Sequence, residues 1–461
     1  MSDPPRTVWG MRRGAVTVLC LVQFVDVLGV TSATTAIPAI LQGVGAPASA
    51  AGPLATVYAM FFGGVLILGA RLGDRFGHRR ILLTGIGMFG AVSVLGATAA
   101  VWGGAALAVV LVARALQGAA AALSVPSALR LQLAATPDES RRHGALAAWS
   151  ATGAAAGASG FLVGGLLVQA FGWPAVFWVN LPLAAGLIAG IALTVRRRTE
   201  PTERVPLDLP GAALLILAVM AVIAGAAWLE QPTTLPLGVT AVVVGLVLAA
   251  LLVVRLRTAR APLIPAAAFR SRPLRHGTAL SFVNTATTSS TAVLATLFLQ
   301  DRLGLDPVAT GLTLMALSVA VILTSTTTRR LLARLSAYAV SGMGIGVIAL
   351  GCLLLALTVG TWWGVLVGVA LAGAGLGLSS VAATTIGTTV PDELAGSASG
   401  ILNTGAQLGT ALGTSALVLV ASVAGVGAGW LSAAVIAAAT AAWCLLPLRQ
   451  REFSGSGSTG R

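Results

Sequence analysis

Apolar runs of about 18 residues or more follow one another along almost the whole chain, separated by short polar stretches. Each run is long enough to cross a roughly 30 Å hydrocarbon core as a helix. Backbone groups in lipid must be satisfied internally, so only helices and closed barrels span membranes. Continuous apolar runs are not the alternating pattern of barrel strands, which leaves an all-α polytopic membrane protein. Fourteen spans are predicted, at about 15–40, 53–72, 81–102, 104–130, 144–170, 175–195, 210–229, 235–254, 277–300, 309–333, 337–359, 362–389, 397–421 and 426–448.

The polar stretches alternate in charge. Arg71, Arg75, Arg79 and Arg80 follow the second span, and Arg141 and Arg142 the fourth. Arg196, Arg197, Arg198 and Arg204 follow the sixth; Arg255, Arg257, Arg260, Arg270, Arg272 and Arg275 follow the eighth. Arg329, Arg330 and Arg334 end the tenth, whereas the intervening connections hold only Arg302. The positive-inside rule therefore puts the arginine-rich connections and both termini in the cytoplasm, for a protein of the cytoplasmic (inner) membrane. "VPDELAG", after the twelfth span, is expected on the same side yet carries no arginine.

Two longer stretches, "VRRRTEPTERVPLDLPG" and "VVRLRTARAPLIPAAAFRSRPLRHG", divide the spans into six, two and six. The expected organisation is a cytoplasmic tail (1–14), a six-helix bundle (15–198) and two additional helices with linkers (199–260). A second six-helix bundle (261–448) and a Gly/Ser-rich, disordered tail (449–461) follow.

Composition agrees. The chain is 57% hydrophobic and only 9% charged, which excludes an ordinary soluble domain. Its net charge of +14 comes from arginine alone, clustered between spans as topology signals rather than as a nucleic-acid surface. Cys20, Cys352 and Cys444 sit singly inside apolar runs and read as buried small hydrophobes. "MRRGAVTVLCLVQF" resembles a secretory signal, but with so many spans behind it an uncleaved first helix is expected. The Ala, Gly and Arg bias without lysine points to a GC-rich bacterial genome.

After the second span the chain reads "ARLGDRFGHRRILL", where Gly73 and Gly77 permit a tight turn and close helix approach. Asp74 can pair with arginines or sit at a helix N-terminus. The order of Leu72, Asp74, Arg75, Gly77, Arg79 and Arg80 is similar to the loop-two-to-three signature of the major facilitator superfamily. His78 stands where a basic residue is usual and Ala70 where the leading glycine is usual. The resemblance implies that Asp74, Arg75, Gly77, Arg79 and Arg80 form a conformational-switch loop that latches two halves.

In the fourth span, "LVARALQGAAAALSVP", Arg114 lies about ten residues, roughly 15 Å, from the outer end and so near the bilayer midplane. A charge there should face a cavity or a partner. Arg114, Gln117 and Gly118 match the family's fourth-helix signature, which implies proton coupling; an arginine bonded to backbone carbonyls is the structural alternative. In the fifth span Gly153, Gly157, Gly160 and Gly164 share one helix face. Gly160, Gly164 and Gly165 fit the antiporter signature of the drug-efflux branches, but Phe161 occupies its proline position. Close packing and a coupling role both remain open for that face.

"FGWPAVFWVNLP", with Phe177, Asn180 and Pro182, resembles the fourteen-span drug/proton antiporters, although Pro174 replaces a common arginine. So does "LAGAGLGLSSVAATTIGTTVPDELAGSASGILNTGAQLGTALG", in which Gly396, Gly400, Gly405, Gly409 and Gly413 recur. Asn403 and Gln407 there either line a polar path or bond across to another helix. The ninth span carries Asn284, Thr285, Thr287, Thr288, Ser289, Ser290 and Thr291. Hydroxyls can bond back to their own helix, yet the resemblance implies a cavity-lining helix with a neutral hydrogen-bonding surface. Gln23, Thr31, Thr34, Tyr58, Gln117, Asn284, Thr288, Asn403 and Gln407 are the candidates for a substrate cavity.

"FVDVLGVTSATTAIP" places Asp26 in the first span with no cationic neighbour between Arg13 and Arg71. The antiporters carry a first-helix Asp nine residues before a proline; counting back from Pro38 lands on Gly29, while Thr31 and Ala36 fit. Asp26 lies one helical turn nearer the cytoplasm, on nearly the same face and at a depth comparable to Arg114. How readily it holds a proton depends on the water and the cation it faces. Asp26 and Arg114 are the expected proton-coupling pair.

The expected function is a monomeric secondary transporter that exports amphipathic or lipophilic compounds in exchange for protons. The proton gradient supplies the energy, and no cofactor or metal is called for. No P-loop is present, and His78, His143 and His276 fall in or beside cytoplasmic connections. No catalytic constellation stands out, so an enzyme is not expected. A facilitator or exporter without standard proton coupling, and a non-transporting sensor or scaffold, are the alternatives.

Overall fold

Where apolar side chains run on for a membrane thickness, the backbone closes its hydrogen bonds within one helix, and fourteen such helices form. The computed structural model describes residues 14–136, 139–195, 208–229, 233–259, 262, 264, 266–390 and 392–445. Both expected tails, apart from Gly14, the connection with Arg196 to Arg198 and Arg204, and Arg260 lie outside the described residues. So do the side chains of Arg141, Arg142, His143 and Arg329.

The spans of the first half are α1 (Ala15–Gly43), α2 (Ala48–Phe76), α3 (His78–Ala97), α4 (Ala99–Ala134), α5 (Ala151–Phe171) and α6 (Ala175–Thr194). The central pair is α7 (Leu209–Ala226) and α8 (Leu235–Thr258). The second half comprises α9 (Arg272–Arg302), α10 (Pro307–Leu332), α11 (Ala337–Leu357), α12 (Trp362–Gly387), α13 (Ala398–Ala424) and α14 (Val426–Leu445).

The pairing of helices repeats. In the first half α1 packs on α4, α5 and α6, α2 on α4, and α3 on α4 and α6. In the second, α9 packs on α12, α13 and α14, α10 on α12, and α11 on α12 and α14. The halves meet through α5 on α10, α2 on α13 and α1 on α9. This is two six-helix bundles related by a pseudo-twofold, with the central pair attached outside. α7 docks on α2 and α13, while α8 touches mainly α7 and leaves Val243, Leu246, Val247 and Val254 exposed. At their arginine-rich ends Asp208 caps α7 through the Gly211 N–H and takes a 3.1 Å ion pair from Arg255 of α8.

One apolar cluster joins the halves at the end away from the arginine-rich connections. It combines Ile37 and Ile40 of α1, Leu54 of α2 and Phe161 of α5 with Leu294 and Leu299 of α9 and Leu314 of α10. Toward the arginine-rich end the halves have separate cores. One is built on Leu82, Ile86 and Leu131, the other on Ile345, Ile348 and Ala437. Contact there continues along one side, where Ile67 of α2 reaches Ile401 and Leu402 of α13. The bundles are thus closed together at one end and part at the other. Cys20, Cys352 and Cys444 are free, buried thiols.

Candidate functional site

Asp26 is buried on α1, 8% exposed, and turned into the first bundle rather than toward the seam between halves. Beside it is a void of about 20 Å³, room for about one water, lined also by Val22, Ile86, Phe89, Ser124 and Leu187. The Tyr58 hydroxyl of α2 donates to its carboxylate. Arg114 of α4 lies over the opposite part of that tyrosine, its guanidinium carbon 4.6 Å from the ring centroid. Asp26 and Arg114 are therefore bridged through one aromatic side chain. Such cation–π contacts are worth about 2 kcal/mol or more when desolvated.

Gly118 makes the bridge possible. A Cβ on Gly118 would run into the Tyr58 carbonyl, so only glycine lets α4 approach α2 closely enough to lay Arg114, one turn earlier, on the ring. The rest of the guanidinium is held by uncharged groups. Arg114 Nη1 donates to the Gly29 carbonyl at 3.5 Å and to Gln117 Oε1 at 3.3 Å. Gln117 Nε2 donates to Ser93 Oγ at 2.7 Å, and Ser93 donates to the Phe89 carbonyl. Arg114 Nε is buried without a hydrogen-bond partner.

Gly29, the position where the resemblance calls for a carboxylate, meets the arginine with its backbone oxygen instead. An acid one turn earlier reaches the same cation through tyrosine. Ser93 gave no sequence signal, being one small hydroxyl in an apolar helix. Tyr58 offered one: it is one of only two tyrosines in the chain and lies mid-span.

Of the cavity candidates, Tyr58, Gln117, Asn284 and Thr288 are buried. Tyr58 and Gln117 belong to the Asp26–Arg114 network. Thr288 donates back to the Asn284 carbonyl at 2.7 Å, and both polar atoms of the Asn284 side chain lack partners. Gln23, Thr31 and Thr34 form a half-buried stripe on α1, the two threonines bonding back to Val27 and Val30. Asn403 is exposed and Gln407 half-buried on α13. Gln407 packs at Gly63 of α2, whose carbonyl accepts from Thr404 at 3.2 Å.

The α5 glycines face α1. Gly153 abuts Gln23, Gly157 abuts Val27 and Ser318, Gly160 abuts Thr31 and Leu28, and Gly164 abuts the Ser32 backbone. The next glycine, Gly165, lies on the α10 backbone at Pro307, and Gly311 of α10 answers against Phe161. Phe161 in the proline position packs into the cluster that joins the halves, and its carbonyl accepts from Thr35 at 3.2 Å.

In the loop between α2 and α3, Gly77 takes a positive φ of 90°, a conformation that suits glycine, to reverse the chain. Asp74 receives His78 at 3.1 Å and Arg130 of α4 at 3.8 Å. The His78 ring packs against Gly73. Arg79 donates to the Val195 carbonyl after α6 at 2.8 Å, and Arg71 to the Pro262 carbonyl at 3.1 Å. Arg75 lies near the Phe76 ring, and the Arg80 carbonyl accepts from Thr84. The described bonds of the loop tie α2 to α4 and to the segment before α9, and α3 to the end of α6.

Comparison with known proteins agrees with this architecture. The family model for the Major Facilitator Superfamily matches residues 19–414, with a further match over 277–460 that begins in α9. The chain is 32% identical over 415 residues to the tetracenomycin C resistance and export protein of Streptomyces glaucescens, covering 84% of this chain and 72% of that one. It is 31% identical over 438 residues to a cephamycin export protein of Amycolatopsis lactamdurans, covering 88% and 84%. The multidrug resistance protein Stp of Mycobacterium tuberculosis is 32% identical over 372 residues, covering 79% and 66%. Among solved structures the fold is similar to the POT family transporter PepTSo, with TM-score 0.65 at 14% identity over 95% of this chain and 98% of that one. It is also similar to the human organic anion transporter MFSD10, with TM-score 0.60 at 16% identity over 96% and 100%. The chain belongs to the major facilitator superfamily.

Proposed function

Starting from that membership, we propose that the chain is a secondary transporter that exports lipophilic organic compounds from the cytoplasm in exchange for protons. It works as a monomer in the cytoplasmic membrane with both termini inside, and it acts without a cofactor. Resistance and export proteins among its relatives support the substrate class. The arginine-rich connections support the orientation, under which the bundles part on the cytoplasmic side.

The observation that carries the exchange reading is the buried Asp26–Tyr58–Arg114 bridge. Ionised, Asp26 is offset by the tyrosine hydroxyl and the nearby guanidinium. Protonated, it leaves Arg114 with the Tyr58 ring, the Gly29 carbonyl and Gln117, so the cation keeps partners in both states. That matters because a buried charge stripped of its partner costs about 3–5 kcal/mol. Rocking of one bundle on the other about the α5–α10 and α2–α13 seams would then present Asp26 to each side in turn.

Expression in an efflux-deficient bacterium, challenged with a broad panel of toxic lipophilic compounds, tests export: protection against at least one is expected. If no compound's toxicity changes, the export reading fails. Adding a protonophore should abolish the efflux. Efflux that survives it would favour a facilitator instead, a reading that the Gly29 carbonyl in place of the usual acid keeps in view.

A further inference from the structure

The polar groups around Asp26 continue in one direction only, through the inside of the first bundle. Tyr58 of α2 and Arg114 of α4 are its hydroxyl and charged neighbours. The void of about 20 Å³ beside it is lined wholly by α1, α3, α4 and α6. Ser124 is the other polar group on that wall; Val22, Ile86, Phe89 and Leu187 are apolar. A purely apolar void stays dry, but an acid and a hydroxyl together supply the two partners that hold one water.

Toward the arginine-rich end Ser127 follows Ser124 by three residues on α4, which brings the two side chains to about 5–6 Å between Cβ atoms. Ser124 bonds back to the Ala120 carbonyl at 3.1 Å, the usual way for a helical serine to satisfy itself. Ser127 does not. It is fully buried, and its hydroxyl has no hydrogen-bond partner. Such a group calls for water or for a partner that comes and goes. A Cβ on Gly73 of α2 would run into His78 Nδ1 and lie 3.2 Å from Ser127 Oγ. Hydroxyl and ring nitrogen therefore flank one point, and a single water can span them. On its other side the ring meets Asp74 through Nε2 at 3.1 Å, with Arg130 of α4 3.8 Å from the same carboxylate. Asp74 is 33% exposed against 13% for His78, so the series ends in water.

We propose that Asp26 discharges its proton to the cytoplasm through the interior of the first bundle, by way of a water in the void, Ser124, Ser127, His78 and Asp74. The carboxylic acid gives its proton to the water. Each hydroxyl accepts one proton and passes on its own, so both serines end unchanged. His78 accepts at Nδ1 and becomes an imidazolium paired with the Asp74 carboxylate, which then loses one proton to cytoplasmic water. The net change is one carboxylate formed at Asp26 and one proton released. The exit lies within a single bundle and does not depend on the seam between the two. This rests on the exchange reading above and adds to it the residues that carry the proton inward.

The test follows the Asp26 carboxyl by time-resolved infrared spectroscopy, with the full chain in lipid nanodiscs after a jump to alkaline pH. It needs no transported compound, and loss of the band in Asp26→Asn assigns it. Ser127→Val and Ser127→Thr introduce side chains of one shape that differ in the hydroxyl, so crowding beside Gly73 affects both alike. Deprotonation is expected to slow roughly tenfold or more in Ser127→Val and to stay near the native rate in Ser127→Thr, with one titration midpoint for both. His78→Arg keeps a cation for Asp74 but does not give up its proton, and should slow the step by a similar factor. Equal rates in Ser127→Val and Ser127→Thr, a midpoint moved by Ser127→Val alone, or a native rate in His78→Arg would overturn this inference and leave proton exchange standing. An Asp26 carboxyl that does not titrate at all would overturn the exchange reading and this inference together.

Discussion

In the first bundle Gly118 of α4 meets the Tyr58 carbonyl of α2; in the second, Gly373 of α12 meets the Leu317 carbonyl of α10. A Cβ on Gly85 of α3 would lie 2.7 Å from the Ala120 carbonyl, and one on Gly344 of α11 the same 2.7 Å from that of Gly375. The first helix of each half carries a Phe-Val-polar triplet, ending in Asp26 and in Asn284. These contacts put a few positions of the two scaffolds in correspondence. Tyr58 then corresponds to Leu317, Arg114 to Val369 and Gln117 to Ala372. One half keeps an acid, a phenol, a cation and an amide; the other keeps only an asparagine whose side chain bonds to nothing. Close helix approach is a shared requirement of the fold, whereas among the described residues mid-span charge is confined to one bundle.

The contrast can be broken most severely at Asp26. Asp26→Asn should reduce pH-gradient-driven efflux from vesicles to background, and adding Asn284→Asp should not restore it, because the second bundle has no tyrosine or arginine to meet the new acid. Rescue by that double variant would show the halves to be chemically interchangeable. Tyr58→Phe comes next. It keeps the ring under Arg114 but leaves a buried acceptor unpaired, at about 1–3 kcal/mol. Proton-driven transport should fall roughly tenfold or more, with the protein still folded by size-exclusion chromatography.

Gly118→Ala and Gly373→Ala probe the shared scaffold, and each should cost about 1–3 kcal/mol of overpacking, read as a lower thermal midpoint in detergent. A harmless Gly373→Ala beside a damaging Gly118→Ala would undo the equivalence drawn between those contacts. The smallest effect is expected from Asn284→Leu. Replacing an unpartnered buried amide by an apolar group should leave stability unchanged or raise it by about 1 kcal/mol, with transport kept within a few-fold. A large loss of transport there would assign the second bundle a polar role.

Much of this was legible before any helix was placed beside another. Lipid forbids unpaired backbone and penalises isolated charge, so apolar length announces each span and a lone Asp26 or Arg114 stands out against it. The loop around Asp74 and Gly77 was visible for a similar reason, as polar residues in a fixed order between two spans. Less could be read of the partners. Nothing along the chain says that Arg114 reaches the Gly29 carbonyl, that Ser93 extends the network, or that the α5 glycines lie mostly on α1 while Gly157 and Gly165 reach α10. Membrane helices are apolar all round, so periodicity, which marks the core face of a soluble helix, is nearly silent about which side faces which neighbour.

By itself, then, the sequence determined how many times the chain crosses the membrane, which connections carry the arginines, and which two charges are held in mid-span. Each is a matter of one helix and its solvent. Only the tertiary structure decided that Tyr58 stands between those charges, that Gly29 meets Arg114 with its carbonyl, and that the matching positions of the second bundle carry no charge. Those outcomes depend on the angle and distance at which helices far apart in the chain come together, and small side chains at the crossings set both.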